Sequence, residues 1–164
     1  MRLSTSHRRS KHSLGLMNNT SMTAMKRKRV VVADDLPTVR GEVMALLRES
    51  FEVVGMFSDG RAALEGAIAL EPDLVVLDIS MPEMSGIEVA EELTRRAYKI
   101  RVVFLTVHED LDILKTCQAA GGLGYVIKLH MNSDLVPAMN EASAGRTFTS
   151  RFQTQQRAHH SERE

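Results

Sequence analysis

Hydrophobic residues fall into short, nearly unbroken runs along the chain, separated by longer segments in which apolar and polar positions alternate with a helical period. Five runs have the length and the β-branched content of strands: Val30 to Ala33, Phe51 to Phe57, Leu74 to Leu77, Val102 to Leu105 and Gly124 to Ile127. Runs that are apolar at almost every position are typical of parallel strands covered on both faces. We therefore predict a buried parallel sheet.

The segments between the runs carry apolar residues at helical spacing: Val39, Val43, Leu46 and Leu47; Leu64, Ala67 and Ile68; Ile87, Ala90, Leu93 and Ala97; Leu111, Leu114 and Cys117; Leu135, Met139 and Ala142. Glycines 121 and 122 are expected to stop the fourth helix, Ser133 to cap the fifth and Gly145 to end it. Strict alternation of strand and helix predicts an α/β fold, a doubly wound five-stranded parallel sheet of the (βα)5, flavodoxin-like type with helices on both faces.

The two ends of the chain lack either period. We predict a disordered basic leader at 1–28, one domain at 29–148 and a polar tail at 149–164, because 164 residues with 43% hydrophobic content can bury one core. The formal net charge of zero conceals an asymmetry. Residues 1–29 carry eight Lys or Arg and no acid, whereas residues 30–164 hold 13 basic and 21 acidic residues.

Cysteine content and hydropathy restrict the protein class. A single cysteine, Cys117, excludes an internal disulfide, fits a reducing cytosol and is expected to pack on a helix face. No apolar run approaches the roughly 20 residues of a membrane span, and the leader has no continuous apolar segment typical of a secretory signal. We expect a cytoplasmic protein without a membrane association.

Residues suited to phosphate and metal chemistry follow four of the predicted strands. They are Asp34 and Asp35, Asp78, Thr106 and Lys128. Ligands of an open parallel sheet bind beyond the carboxyl ends of its strands, so these side chains should share one pocket. Three carboxylates, a hydroxyl and an ammonium suit a divalent cation together with a covalently attached phosphoryl group.

The pocket suggests a specific chemistry. A carboxylate can attack phosphorus to form an aspartyl phosphate, provided that a cation offsets the repulsion between the two negative groups. Mg²⁺ takes oxygen ligands, commonly one or two carboxylates with water and phosphate oxygens. Without the ion, the clustered carboxylates should raise the pKa of at least one of them.

Four motifs in this order resemble the receiver domain of two-component response regulators. They are VVVADDLPTVR (30–40), LVVLDISMPEMSGIEVA (74–90), VVFLTVHED (102–110) and GGLGYVIK (121–128), and the resemblance covers residues 29–148. The details are most similar to receivers that carry a NarL/LuxR-type helix-turn-helix output domain, in AlaAspAspLeuPro and in the AlaGlyArgThrPheThrSer run after the last helix.

The resemblance implies an acceptor and a metal site. Asp78 corresponds to the phosphoacceptor, and Asp34 and Asp35 to the acidic pair that binds Mg²⁺. The backbone carbonyl of Ser80, two residues after the acceptor, corresponds to a further metal ligand.

The resemblance also implies a switch. Thr106 and Lys128 correspond to the switch hydroxyl and the phosphate-binding lysine, and Tyr125 to a rotating aromatic, although an aromatic here could also simply pack against the fourth helix. Ser80 and His108 stand at the positions that tune hydrolysis of the aspartyl phosphate. Leu129 follows the lysine where many family members have proline.

A signalling switch is the function implied by the resemblance. A histidine kinase or phosphotransfer protein would phosphorylate Asp78 and so change the surface of the fourth helix, fifth strand and fifth helix, which would contact an output partner or a second copy in a homodimer. Enzyme activity would be limited to self-phosphorylation and autodephosphorylation. Because residues 149–164 are too few for a helix-turn-helix domain, we expect no direct DNA binding from this chain.

Other functions remain open at this point. The chain could be a single-domain regulator or the N-terminal receiver part of a NarL/LuxR-type transcription factor. A haloacid dehalogenase-type phosphatase also uses a nucleophilic aspartate, but that class has a second aspartate where this chain has Ser80. Neither GxxxxGK[ST] nor GxGxxG follows the first strand, which disfavours a nucleotide-binding protein. The basic run 26–29 could bind nucleic acid or anionic lipid, or only keep the terminus soluble.

Overall fold

A computed structural model describes residues 25–153. The predicted leader before Met25 and the predicted tail after Gln153 lie outside the described residues. The strands are β1 Lys28–Ala33, β2 Phe51–Phe57, β3 Leu74–Asp78, β4 Arg101–Thr106, β5 Gly122–Ile127 and β6 Phe148–Thr149. The helices are α1 Pro37–Leu47, α2 Gly60–Leu70, α3 Gly86–Arg95, α4 Leu111–Ala119 and α5 Met131–Ser143, with a 3-10 turn at Lys128–His130.

The strands form one sheet in the order β2-β1-β3-β4-β5-β6, and every neighbouring pair is parallel. Helices α1 and α5 cover one face, while α2, α3 and α4 cover the other. The predicted α/β class, the parallel sheet and the five helices are confirmed. Within residues 25–153, no helix combines the length and the apolar character that crossing a bilayer requires.

Burial on both faces explains the unbroken apolar strands. In β1, Val30 and Val32 pack into the core under α1 and α5, while Val31 and Ala33 pack into the core under α2 to α4. All five residues of β3 are buried, including the terminal Asp78. Successive side chains of a strand point to opposite faces, so a strand between two helical layers has no polar face except at its end.

Three helices begin with a side-chain cap. Asp59 accepts a hydrogen bond from the Ala62 amide at the start of α2, and Asp110 accepts from two amides at the start of α4. Ser85 and Glu88 form a reciprocal capping box at the start of α3. These caps satisfy amides of the first helical turn that have no partner within the helix. They fix where the loops after β2, β3 and β4 end.

The sheet has six strands rather than the predicted five. Phe148 and Thr149 pair in parallel with Gly124 and Tyr125 of β5. The predicted domain boundary at residue 148 therefore divides a strand, and the chain stays packed as far as Phe152, which is 5% exposed. Two paired residues are too few to produce a strand period, so the sequence pattern could not reveal this element.

Helix ends account for the other differences. Helix α3 ends at Arg95, so Ala97, predicted as part of its apolar face, lies beyond it with a φ of 57°. Ser133 does not cap α5: the helix begins two residues earlier, and its hydroxyl donates to the carbonyl of His130. Gly122, predicted to stop α4, already belongs to β5. Leu111, predicted on the buried face of α4, is 52% exposed at its first turn.

Helix α5 contains Pro137 in its interior, at an exposed position. Proline has no amide hydrogen and crowds the preceding turn. We predict that Pro137→Ala raises the free energy of unfolding by about 1–3 kcal/mol, measured by urea denaturation. Asn140→Ala, at another exposed position of α5, is the control and should add no more than about 0.7 kcal/mol. Equal effects of the two substitutions would show that the proline costs this helix nothing.

Candidate functional site

The carboxyl ends of four strands bring the predicted site residues to one edge of the sheet. Asp34 directly follows β1, Asp78 ends β3, Thr106 ends β4 and Lys128 directly follows β5. The strand registers align these ends, because Ala33 is paired with Leu77, Asp78 with Leu105 and Thr106 with Ile127. The polar groups therefore begin at the same level in four strands of the sheet.

Three carboxylates meet at this edge. One oxygen each from Asp34, Asp35 and Asp78 lies within 4.8 Å of the other two. Asp34 is 1% exposed and Asp78 is 5% exposed, whereas Asp35 faces solvent. The carboxylate cluster expected from the strand ends is present, and it is open to solvent on the side of Asp35.

Lys128 supplies the positive charge of the cluster. Its Nζ lies 2.7 Å from Oδ2 of Asp34 and 3.5 Å from Oδ2 of Asp78. Asp34 Oδ2 has no hydrogen-bond donor within residues 25–153, so its contact with Lys128 is an ion pair. Within residues 25–153, Lys128 is the only basic side chain within 4.0 Å of these carboxylates. Three acids and one lysine leave a formal charge of −2.

Backbone amides orient the two buried carboxylates. The Leu36 amide donates to Oδ1 of Asp34 at 2.9 Å. The Ser80 amide donates to the carboxylate of Asp78, and this bond favours the ionised form of the acid. Both donors lie two residues after the acid that they hold, so each strand end and its following loop form one local unit.

Asp78 has a pKa raised from 3.8 to about 6. Burial is the main cause, and repulsion from Asp34 adds to it. The charge of Lys128 and the hydrogen bond from Ser80 act in the opposite direction without cancelling the increase. Asp78 is thus a carboxylate that is easily protonated and that would gain from a further cation.

Two close backbone approaches hold the loop that follows Asp78. A Cβ on Gly86 would lie 2.0 Å from the carbonyl oxygen of Asp78, and one on Gly60 would lie 1.8 Å from the carbonyl oxygen of Met84. The Gly86 amide bonds to the Ile79 carbonyl, and the Gly60 amide to the Pro82 carbonyl. Glycine is required at both positions because any side chain would push the loop away from the acid.

Thr106 and Tyr125 are connected through the backbone of His108. The His108 amide donates to Oγ1 of Thr106 at 3.1 Å, and the Tyr125 hydroxyl donates to the His108 carbonyl at 2.8 Å. Thr106 is fully buried, and within residues 25–153 its hydroxyl only accepts, from His108, so its own hydrogen is available to donate. The loop between β4 and α4 is therefore hydrogen-bonded to Thr106 at the site and to Tyr125 in the core.

Tyr125 is buried at 2% exposure and packs in the core under α2 to α4. Burial, with smaller contributions from Cys117, Asp110 and Glu109, raises the pKa of its hydroxyl to about 12. The group therefore stays a donor throughout the physiological range. Tyr125 therefore both packs in the core and is hydrogen-bonded to the loop after Thr106.

Ser80 and His108, the other predicted site residues, contact the site through backbone groups. Ser80 is exposed after β3 and contributes its amide to Asp78, while His108 contributes its amide and carbonyl to the β4–α4 loop. The roles predicted for the Ser80 carbonyl and the His108 imidazole stay predictions. Sequence reasoning missed Phe152, whose ring centroid lies 6.0 Å from that of Tyr125. Its signal was the spacing of Phe148 and Phe152 in an otherwise polar stretch.

The residues present fit a divalent cation such as Mg²⁺. Their carboxylate oxygens converge, the cluster keeps a net negative charge beside Lys128, and Asp35 faces solvent. Oxygen donors of this kind are those that Mg²⁺ prefers. Asp34, Asp35 and Asp78 would hold the ion.

Comparison with known proteins assigns the family. The family model described as the response regulator receiver domain matches residues 30–140. The chain is 35% identical over 124 residues to the transcriptional regulatory protein PdtaR of Mycobacterium tuberculosis, covering 75% of this chain and 60% of that protein. It is 33% identical over 118 residues to the nitrate/nitrite response regulator protein NarL of Escherichia coli, covering 71% and 55%. The chain thus matches little more than half the length of these relatives.

Solved structures give the same result. The signal receiver domain of NarL from Mycobacterium tuberculosis matches with a TM-score of 0.72 and 34% identity, covering 74% of this chain and all of that one. The isolated receiver domain of RcsB from Salmonella enterica serovar Typhimurium, solved with the phosphomimetic BeF3-, matches with a TM-score of 0.72 and 25% identity, covering 79% and 98%.

The raised pKa of Asp78 predicts a pH-dependent cost of folding. An unfolded chain ionises this acid near pH 3.8 and the folded one near pH 6, so the folded state binds more protons between these values and the cost is present in full above pH 6. Without divalent cations, Asp78→Asn should raise the free energy of unfolding by roughly 3 kcal/mol at pH 7.5, and the gain should disappear as the pH falls below 4. Urea denaturation measures both values.

The control is Asp112→Asn, since Asp112 is an exposed acid on α4 and should show no such dependence. A gain at Asp78 that stays constant from pH 4 to pH 8 would mean that its ionisation does not strain the fold.

Lys128 is predicted to matter most when no divalent cation is present. Lys128→Met keeps the aliphatic stem but removes the charge that faces Asp34 and Asp78. Loss of one partner of a buried ion pair should cost on the order of 3 kcal/mol in chelator, and Mg²⁺ should recover much of the loss because it binds only the folded state.

Lys115→Met serves as the matched control, because Lys115 contacts exposed Asp112 at 4.0 Å and such pairs contribute about 0–1 kcal/mol. If Mg²⁺ leaves the Lys128→Met deficit unchanged, the lysine and the ion do not offset the same charges.

Proposed function

Because this chain belongs to the response regulator receiver domain family, we propose that it is a phosphorylation-dependent switch of a two-component system that accepts its phosphoryl group on Asp78. The observation that carries the proposal is the position of Asp78. It ends the central strand, is buried, and shares its pocket with two further acids and with Lys128. Its pKa is raised by burial and by repulsion from Asp34.

The transfer is a substitution at phosphorus. A carboxylate oxygen of Asp78 forms a bond to phosphorus while the bond from phosphorus to the donor's leaving group breaks, which for a phosphohistidine is an imidazole nitrogen. The leaving nitrogen takes the electron pair, and the product is an acyl phosphate. A backbone hydrogen bond from Ser80 holds the acid, and the Gly86 amide holds the loop that follows it.

Positive charge is the main requirement of this reaction. Mg²⁺ held by Asp34, Asp35 and Asp78 would supply charge that offsets repulsion between the carboxylate and the phosphoryl oxygens. Once the carboxylates have that partner, they no longer depend on Lys128, which in the structure contacts Asp34 more closely than Asp78. The Lys128 ammonium can then bind a phosphoryl oxygen.

The phosphoryl group would be sensed by Thr106. Its hydroxyl hydrogen is available to donate, and its oxygen already accepts from the His108 amide. A hydrogen bond from this hydroxyl to a phosphoryl oxygen would therefore be coupled to the backbone that also carries the Tyr125 hydrogen bond. This connection leads from the site to the surface formed by α4, β5 and α5.

We propose that this surface contacts the output partner and that a histidine kinase or phosphotransfer protein supplies the phosphoryl group. The relatives PdtaR and NarL are transcriptional and response regulators by name, and the present proposal concerns only the receiver that this chain shares with them. Ser80 and His108 keep their proposed roles in the lifetime of the acyl phosphate, since both lie in loops that directly follow site residues. A phosphatase of the haloacid dehalogenase type is not supported by the family match.

Phosphorylation at Asp78 can be tested by intact-mass analysis with acetyl phosphate and Mg²⁺. The wild type should gain the mass of one phosphoryl group, because the acid is nucleophilic only when a cation shields the incoming group. Asp78→Asn should gain none, and addition of a chelator should prevent the gain in the wild type.

Asp112→Asn is the control and should be modified like the wild type, since this acid is exposed on α4. An undiminished adduct in Asp78→Asn would assign the phosphoryl group to another residue and overturn the proposal.

A further inference from the structure

Residues 148–153, here called the strap, run along β5 at the edge of the sheet. The Ser150 amide donates to the carbonyl of Tyr125 at 2.9 Å. The hydroxyl of Ser150 accepts from the Ile127 amide at 3.1 Å and donates to Oδ2 of Asp134 at 2.6 Å. Because Ser150 is only 3% exposed, these bonds fix the strap at one register between β5 and α5.

Beyond Ser150, the strap crosses toward α4 and covers the ring of Tyr125. Phe152 is buried and packs against that ring with an interplanar angle of 52°. The Gln153 amide then donates to Oε2 of Glu109 at 3.1 Å, in the loop between β4 and α4. The strap therefore contacts Tyr125 on one side and the loop that Tyr125 holds on the other.

These contacts continue directly into the site. Tyr125 is bonded to the His108 carbonyl, and the His108 amide is bonded to Thr106. The Phe152 ring packs on the Tyr125 ring in the same buried position from which Tyr125 bonds to His108. Glu109, which receives the strap amide, follows His108 directly in the chain.

We propose that the strap is a positioning element of the switch: its docking through Phe152 and occupation of the phosphoryl site stabilise each other. The inference rests on the proposed phosphorylation of Asp78 and adds to it the segment that reads the site. The contacts determine whether docking of the strap favours or opposes occupation of the site. A docked strap holds Tyr125 and the β4–α4 loop in the arrangement in which the Thr106 hydroxyl hydrogen is free to meet a phosphoryl oxygen.

The coupling between docking of the strap and occupation of the site can be measured at either of the two. If an occupied site favours the docked strap by some factor, the docked strap must favour occupation by the same factor. Cleavage by trypsin after Arg151 reports on the strap. The Arg151 side chain is exposed, but the backbone around it must detach from β5 and α4 before it can enter a protease active site. Beryllofluoride with Mg²⁺ is the probe for the site.

In the wild type, beryllofluoride with Mg²⁺ should slow cleavage after Arg151 about fivefold or more, a typical size for coupling between sites. Phe152→Ala should weaken the affinity for beryllofluoride, measured by calorimetry, by about the same factor, and should remove the protection. Glu109→Ala should also weaken the affinity for beryllofluoride and the protection, to a smaller extent. Because it leaves the core intact, it serves as the test if Phe152→Ala does not fold. Gln153→Ala is the matched control: it keeps the backbone amide that Glu109 accepts and should behave like the wild type.

Two results would overturn the inference, and they are distinguishable. If the wild type binds beryllofluoride but cleavage after Arg151 is unchanged or faster, the strap is not coupled to the site, and the proposed function stands. If the wild type does not bind beryllofluoride, or Asp78→Asn binds it equally well, the proposed function and the strap coupling both fail.

Discussion

Repulsion among three carboxylates that a single lysine offsets only in part is the constraint on which the rest of this structure depends. Asp34 and Asp78 are buried at adjoining strand ends, and Lys128 is shared between them. Parallel strands in register place these groups together, and the surrounding apolar core keeps them from separating. The pocket therefore holds a charge imbalance that favours a divalent cation and then a phosphoryl group.

Holding such a pocket requires a rigid frame and one adjustable side. The frame is the sheet with its strand-end hydrogen bonds and the close glycine contacts beneath the loop after Asp78. The adjustable side is the β4–α4 loop, where Thr106, the His108 backbone and Tyr125 form a hydrogen-bonded path away from the charges. A change in charge at the site can thus reach Tyr125 in β5 along this path.

Sequence pattern predicted the elements that burial determines and failed where local contacts decide. Residues such as Val76 and Leu77 revealed β3 because both faces of the strand are covered, and the polar residue that follows them marked the site edge. The position of Ser133 looked like a cap, but the turn at Lys128–His130 leads into α5 two residues earlier. Phe152 was overlooked because Phe148 and Phe152 alone in a polar stretch are too few to define a period, although Phe152 packs against Tyr125.

The ionisation of Asp78 is the property that most directly reports on this charge imbalance. Carbon-detected NMR of the side-chain carboxyl gives its titration in the presence and absence of Mg²⁺. We predict a pKa of about 6 without the ion and a clear decrease when Mg²⁺ is added, because the ion stabilises the carboxylate. A pKa near 3.8 that Mg²⁺ does not change would contradict this prediction, since the three acids would then be neither crowded nor poised to bind a cation.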